Sequence, residues 1–255
     1  MVKSRLGQHF LIDNAIIEKE LIYADLSSDD VVLEIGPGKG VLTKKIAQHV
    51  RQVIAIELDR SLYQFLKQTL PQNVLLIHGD IMDIDLKDLP LFNKVVANLP
   101  FQISSPFTFK LFETQFEKAV LIYQKEFAER MIARPGLKAY SRLTVGLAYK
   151  ASCRIQETIP ASSFSPPPDV LSCLVELIPH ERPPFHVIDE SFFFELTRLL
   201  FSHRRKQINT ILKHTFECDS IEEIMFASKR VEELHPKDIA LLSNQLYPYK
   251  HYLRK

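Results

Sequence analysis

Two hydrophobic periods alternate over the first two-thirds of the chain, and this alternation limits the fold more than any other feature. The runs VVLEIG (31–36), QVIAIEL (52–58), VLLIHGD (74–80), KVVANLP (94–100) and KAVLIYQ (118–124) are short, rich in Val and Ile and bounded by polar or turn residues. Runs of this kind suit strands buried on both faces. Between them, VLTKKIAQHV and SLYQFLKQTL have helical spacing. Strand–helix alternation predicts an α/β fold with a doubly wound, mostly parallel sheet. ASCRIQETIP and LSCLVELIP read as two later strands joined by the proline-rich ASSFSPPPD. With no helix between them, they are expected to pair antiparallel at the sheet edge. Beyond IPHERPPFHVID the pattern is helical only, in ESFFFELTRLLFSHRRKQINTILKHTF, SIEEIMFAS and HPKDIALLSNQLY. Asp189 is placed to cap the first of these. The expected division is an α/β domain over 1–179, a linker over 180–188 and a small helical domain over 189–255.

Composition narrows the class. Hydrophobic residues make up 46% and charged residues 25% of 255, ordinary values for a globular chain. No apolar run is long enough to span a bilayer, and MVKSRLGQHF lacks the apolar core of a signal peptide. The expectation is a cytoplasmic protein with no membrane partner. Cys153, Cys173 and Cys218 are odd in number and form no C-x-x-C pair, so free thiols and no metal site are expected. A net charge of +1 does not by itself indicate a polyanion partner. Local distribution does: residues 196–216 carry Arg198, Arg204, Arg205, Lys206 and Lys213 and no acid, and the segments 1–10 and 125–154 are also net basic.

Three of only seven glycines, Gly36, Gly38 and Gly40, fall in EIGPGKG between the first strong strand and a helix. Glycine there permits positive φ and a close approach of backbone to ligand. The second strand ends in Glu57, where a carboxylate can accept both hydroxyl hydrogens of a ribose. The third ends in Gly79–Asp80, and Asp80 can accept from an adenine amino group. A dinucleotide site calls for G-x-G-x-x-G/A, but Val41 occupies the last position; a phosphate-binding P-loop needs G-K-[ST], which is absent. The G-x-G-x-G spacing with two phased acids suits S-adenosylmethionine, a ligand without phosphate. The competing explanation is a tight strand–helix turn beside surface acids.

NLPF (98–101) ends the fourth strand, at the same sheet edge. The amino nitrogen of adenine is a poor nucleophile because its lone pair is delocalised into the ring. The Asn98 side-chain carbonyl and the Leu99 backbone carbonyl can hold its two N–H bonds and favour a pyramidal nitrogen. Pro100 restricts Leu99 and itself. Phe101 offers a face on which an unstacked base can lie. Phe164, in the proline-held loop, either covers the other face of that base or packs as an ordinary core residue.

With GQHFLID, EIGPGKGVLT, AIELD, HGD, NLPFQISSP, FSPPPDV and FSHRRKQINT in place, the whole chain resembles the small-subunit ribosomal RNA adenine dimethyltransferases, which share a Rossmann-like methyltransferase fold with the macrolide-resistance RNA methylases. The resemblance implies transfer of methyl groups from S-adenosylmethionine to N6 of two adjacent adenines near the 3′ end of small-subunit rRNA. The partner it implies is that rRNA within a pre-ribosomal small subunit, with the enzyme acting as a monomer. It implies that Gln8, His9 and Phe10 close over the cofactor, and that Gly36, Gly38, Glu57, Asp80 and Asn98 surround it. It implies that Asn98, Leu99, Pro100 and Phe101 hold the base, with Phe164 opposite. Many members have Tyr where this chain has Phe101, which keeps the stacking face and removes a hydroxyl. Arg204, Arg205 and Lys206 are the candidate rRNA backbone contacts. Two alternatives keep the same fold: an RNA-binding assembly or transcription factor, and a methylase of large-subunit rRNA.

Overall fold

The computed structural model describes residues 9–215 and 223–252. The strands are β1 (Phe10–Leu11), β2 (Val31–Ile35), β3 (Gln52–Glu57), β4 (Val74–His78), β5 (Lys94–Asn98), β6 (Lys118–Gln124), β7 (Ala151–Ile159), β8 (Phe164–Ser165) and β9 (Ser172–Pro179). The α-helices are α1 (Asn14–Ala24), α2 (Val41–Ala47), α3 (Arg60–Thr69), α4 (Ser104–Leu111), α5 (Lys125–Met131), α6 (Arg142–Lys150), α7 (Glu190–Ser202), α8 (Ile208–Thr215) and α9 (Pro236–Leu246).

Seven strands form one sheet in the order β4-β3-β2-β5-β6-β9-β7. β2 to β6 pair in parallel, and β9 runs antiparallel to β6, with Leu121 opposite Val175. The antiparallel element therefore lies at one edge, with β9 rather than β7 against β6. All five residues of β2 are buried, whereas the edge strand β4 is only partly covered. This explains why the central runs are apolar throughout. The chain passes outward through β2, β3 and β4, then returns to lay β5 beside β2. That reversal opens a crevice at the carboxyl ends of β2 and β5. A separate two-stranded piece pairs β1 with β8, Phe10 opposite Ser165 and Leu11 opposite Phe164.

The starts of α1, α3 and α7 are set by aspartates. Asp13 accepts from Ala15 N–H, Asp59 from Ser61 and Leu62 N–H, and Asp189 from Phe192 N–H, satisfying donors that a first turn leaves unpaired.

The chain divides into two compact units. The first takes the described residues up to Ala128 together with Cys153–Pro179; the second takes Glu129–Ser152 and the described residues from His180 onward. The contiguous division at residue 180 thus differs from the structure in one segment, 129–152. Its apolar residues Tyr140, Val145 and Tyr149 pack with Phe193, Leu196, Leu200, Ile239 and Leu246. The Tyr140 hydroxyl donates to the Leu234 carbonyl at 2.7 Å. A linear reading of strands and helices misses this because the segment returns to the first unit through β7.

Two helical expectations need correction. The basic run 196–216 is not one helix: α7 ends at Ser202, the chain turns with Lys206 N–H on the His203 carbonyl, and α8 starts at Ile208. Arg198 and Arg205 therefore do not share a helix face. SIEEIMFAS is not helical over its described part, 223–228, which forms turns in which Phe226 has a φ of 58°. The carbonyls of Ala227 and Lys229 instead accept the N–H groups of Asn209 and Ile208 at the start of α8. Cys153 is a free thiol and Cys173 is buried; Cys218 lies outside the described residues.

Candidate active site

The crevice at the strand-order reversal is a cavity of about 470 Å³ within the first unit. Its floor is the loop after β2. Gly36, Gly38 and Gly40 have φ of 66°, 60° and 76°, a region that side chains disfavour, so the glycines are required by the turn itself. A Cβ on Gly38 would stand 2.9 Å from the Phe10 ring, so glycine also makes room for the N-terminal strand. The loop is pinned twice to β3. Gly36 N–H donates to the Ile56 carbonyl at 2.9 Å, and Gly38 N–H donates to Glu57 Oε2 at 3.0 Å.

Glu57 is 3% exposed, and its Oε1 accepts from Asp59 N–H at 2.8 Å. Burial pushes its carboxyl above the usual range, while the N–H groups of Asp59, Gly38 and Leu58 pull it back. Each oxygen retains acceptor capacity for a ligand. Asp80 stands at the end of β4 with Oδ1 on Met82 N–H at 2.8 Å. At the end of β5, Asn98 is half-buried, and its Oδ1 is buried with no hydrogen-bond partner among the described residues. Leu99 is buried, Pro100 is exposed and Phe101 opens the short 3-10 turn that leads into α4.

The remaining wall comes from the β1–β8 pair. His9 Nδ1 lies 2.8 Å from the Pro166 carbonyl, and the His9 ring stacks on Phe101 with centroids 5.9 Å apart and planes at 29°. The Lys39 ammonium lies 5.4 Å from the centre of the Phe10 ring. Phe164 is 4% exposed and packs in the core with Leu11 and Ile17, while its edge still lines the cavity. His9, Phe10, Gly36, Gly38, Glu57, Asp80, Asn98, Leu99, Pro100, Phe101 and Phe164 therefore border one space. Gln8 lies outside the described residues. Arg204, Arg205 and Lys206 belong to the second unit. There Arg204 donates from Nε to Glu232 Oε2 at 2.9 Å and from Nη1 to the Lys138 carbonyl at 3.1 Å, whereas Arg205 and Lys206 are exposed.

Two buried carboxyls, one in the cavity wall and one on α1, are not singled out by the sequence. Glu34, at the centre of the apolar run of β2, is 2% exposed and lines the cavity; Glu20, on the inner face of α1, is fully buried. The signal for Glu20 was present as a charged residue in register with Ile16, Ile17 and Ala24, the buried stripe of its helix. Burial, reinforced by the charge of Glu57, pushes Glu34 up to about 8 against a pull from Thr43. Glu20 is raised well above its ordinary value by burial and by Glu34.

Residues 1–247 match the family model described as ribosomal RNA adenine dimethylase. The chain belongs to the ribosomal RNA adenine dimethylase family. A protein of Methanococcoides burtonii named probable ribosomal RNA small subunit methyltransferase A is 44% identical over 252 residues, covering 94% of this chain and 92% of that one. A protein of Methanococcus maripaludis with the same name is 43% identical, covering 95% and 96%. Among solved structures, a dimethyladenosine transferase from Plasmodium falciparum matches with a TM-score of 0.82 at 30% identity, covering 96% of this chain and 99% of that one. The 23S rRNA methyltransferase ErmE matches with 0.69 at 25% identity, covering 93% and 99%. The sheet order and its antiparallel edge are thus those of a Rossmann-like methyltransferase of this adenine dimethylase family.

The residues of the cavity fit an S-adenosylmethionine cofactor. A dry carboxylate with spare acceptor capacity, a loop with no Cβ at its closest approach and a second acid at the next strand end match a ribose, its linker and an adenine.

Glu34 makes stability depend on pH. Its folded value near 8 lies above the ordinary 4.5, so the unfolded chain gives up the proton first as pH rises. Its contribution is fully present below about pH 4.5 and is lost on the way to pH 8. Relative to Glu34→Gln, the wild type should lose stability across that window with a slope approaching about 1.4 kcal/mol per pH unit. Denaturant melts of both proteins over this range check it; parallel curves would contradict the assignment.

Proposed function

We propose that the chain transfers methyl groups from S-adenosylmethionine to N6 of two adjacent adenines near the 3′ end of small-subunit rRNA. The observation that carries this reading is the orphaned Asn98 Oδ1 beside Phe101, at the cavity's β5 end, opposite the glycine loop and Glu57. A buried acceptor without a partner is costly, and a ligand N–H would satisfy it.

Glu57 holds the cofactor ribose and Asp80 its adenine, with His9 and Phe10 over them. The cofactor supplies an electrophilic methyl group. The target base enters beside Phe101, with Phe164 bordering the same space. The Asn98 and Leu99 carbonyls hold the two N–H bonds of its amine, so the nitrogen lone pair is turned towards the methyl donor. Pro100 fixes the backbone between these acceptors. Positioning and local polarity supply the catalysis, with no dedicated base.

The substrate in this reading is rRNA in an assembling small subunit, in the cytoplasm. The relatives at 43–44% identity are named for the small subunit, and ErmE, named for 23S rRNA, is less similar at 25%. No helix among the described residues is long and apolar enough to cross a membrane. In this reading the enzyme acts as a monomer. Labelled-methyl transfer to unmethylated small subunits, naked rRNA and large subunits in parallel tests the reading. Dimethyladenosine at two adjacent positions of the small subunit supports it. Label confined to large subunits, or none in any arm, contradicts it.

Phosphate contacts fall to the second unit. Arg205 and Lys206 are exposed, while Arg204 braces their turn against Glu232 and Lys138. Arg230, also exposed, is tied to the same turn by its bridge to Gln207. Neutralising Arg205 and Lys206 together should weaken small-subunit binding and reduce the log–log salt slope by about 0.7–0.9 per lost contact, with the methylated positions unchanged. Filter binding across a salt series measures it; a wild-type affinity and slope would remove these residues from the interface.

Phe101→Tyr should keep activity and Phe101→Ala should lose about 1–3 kcal/mol of base binding. Turnover of both variants on small subunits decides; equal rates for Phe and Ala would exclude stacking.

A further inference from the structure

Four acceptor atoms on α1, β2 and β5 are buried and unpaired among the described residues: both Glu20 carboxyl oxygens, Glu34 Oε2 and Asn98 Oδ1. Helix α1 packs on β5, and β5 pairs with β2. Both neighbours act on the Glu20 carboxyl: the charge of Glu34 raises its value and the Asn98 amide lowers it. Acceptors alone cannot share a dry pocket stably, because each is left without the proton it needs. Glu34, pushed up to about 8, keeps its own proton below that pH. The conflict that is left lies between Glu20 and Asn98, and it is resolved either by a proton on Glu20 or by the orientation of the Asn98 amide. The two ends of that amide have nearly the same shape, so hydrogen-bond chemistry decides which end faces which way. An ionised Glu20 accepts from Asn98 Nδ2 and leaves Oδ1 for the cavity. A protonated Glu20 donates to Oδ1 and leaves Nδ2 for the cavity.

We infer that Glu20 is a positioning residue that determines which end of the Asn98 amide is presented to the target amine. The inference rests on the reading of Asn98 as the acceptor for that amine, and it adds a control element to the site. An adenine amino group brings two N–H donors and therefore needs Oδ1; Nδ2 in its place would repel it. The cost of keeping Glu20 has no structural return. Its neighbours on α1 are Ile16, Ile17 and Ala24, and Val120, Ile122 and Leu174 of β6 and β9 belong to the same apolar core, so an aliphatic side chain would suit the site better. A destabilising polar group retained beside a binding residue fits the trade of stability for function.

Ionisation governs the device. Glu34 of β2 is the titratable group that acts on Glu20 among the described residues, and β5 contributes the neutral Asn98. Burial and Glu34 both favour the protonated form, so the competent orientation gains population as pH rises.

Two variants test this. Glu20→Leu removes the partner and keeps the volume; Glu20→Gln keeps a carbonyl that accepts from Nδ2 but cannot ionise. Glu20→Leu should melt at a higher temperature than wild type and bind S-adenosylmethionine with unchanged affinity. Its turnover on small subunits should fall by about tenfold or more. Glu20→Gln should recover most of that loss and abolish the rise of turnover with pH. The Asn98 side-chain NH₂ signals in ¹⁵N spectra, assigned from their absence in Asn98→Ala, should titrate in wild type and be fixed in both variants. NH₂ signals that are identical in all three proteins and independent of pH overturn the inference, whatever the turnover. So does a Glu20→Leu protein with wild-type turnover and pH profile while Asn98→Ala is inactive. Full activity of Asn98→Ala would instead reject the base-site reading, leaving the spectra to judge the Glu20–Asn98 contact separately.

Discussion

The contact between Glu57 and the N–H of Gly38 is the interaction on which the site depends. It joins the loop after β2 to the end of β3, the two strand ends that form one side of the crevice. The second oxygen of the same carboxylate takes Asp59 N–H, and Asp59 caps α3. One buried acid therefore sets the path of the glycine loop and the entry into the next helix. It sits where a ribose acceptor is needed, so the group that builds the pocket is also the group that would fill part of its function. Three successive glycines at positive φ give the loop the shape this contact requires.

The other side of the crevice is built from different material. The end of β5 and the turn after it deliver an amide, a proline and a ring within four residues, and the β1–β8 pair closes over them with His9 against Phe101. Phe10 packs where a Cβ of residue 38 would lie, so the N-terminal strand and the glycine loop are mutually fitted. A series of carboxyls, Glu57 and Glu34 at the cavity and Glu20 buried on α1, is raised by burial, with Glu57 acting on Glu34 and Glu34 on Glu20 through charge. A methyl-transfer site that binds a cation on one side and a neutral amine on the other gains from such a polar, low-dielectric wall.

Much of this was legible in sequence because the parallel sheet leaves a strong trace. β2, β3, β5 and β6 are buried almost throughout, and their runs of Val, Ile and Leu admit no helical period of their own. The phasing of Gly36, Glu57, Asp80 and Asn98 at successive strand ends put them at one edge, and they do line one cavity. What failed to show depends on tertiary context. The break at 203–207 lies inside a run with good helical composition, and it forms because Arg204 finds Glu232 and Gln207 pairs with Arg230, both distant in sequence. The transfer of 129–152 to the second unit depends on Tyr140 and Tyr149 reaching α7 and α9, which no local period reports. The burial of Glu20 follows only from the packing of α1 against the sheet, which its charge does not announce.

Glu57 shapes the pocket through Gly38 and, in the proposed function, receives the cofactor ribose. Calorimetric titration of S-adenosylmethionine into wild-type protein and Glu57→Ala tests it most directly. Loss of this charged acceptor should weaken binding by about 1.5–3 kcal/mol. An unchanged affinity in a folded variant would contradict the claim.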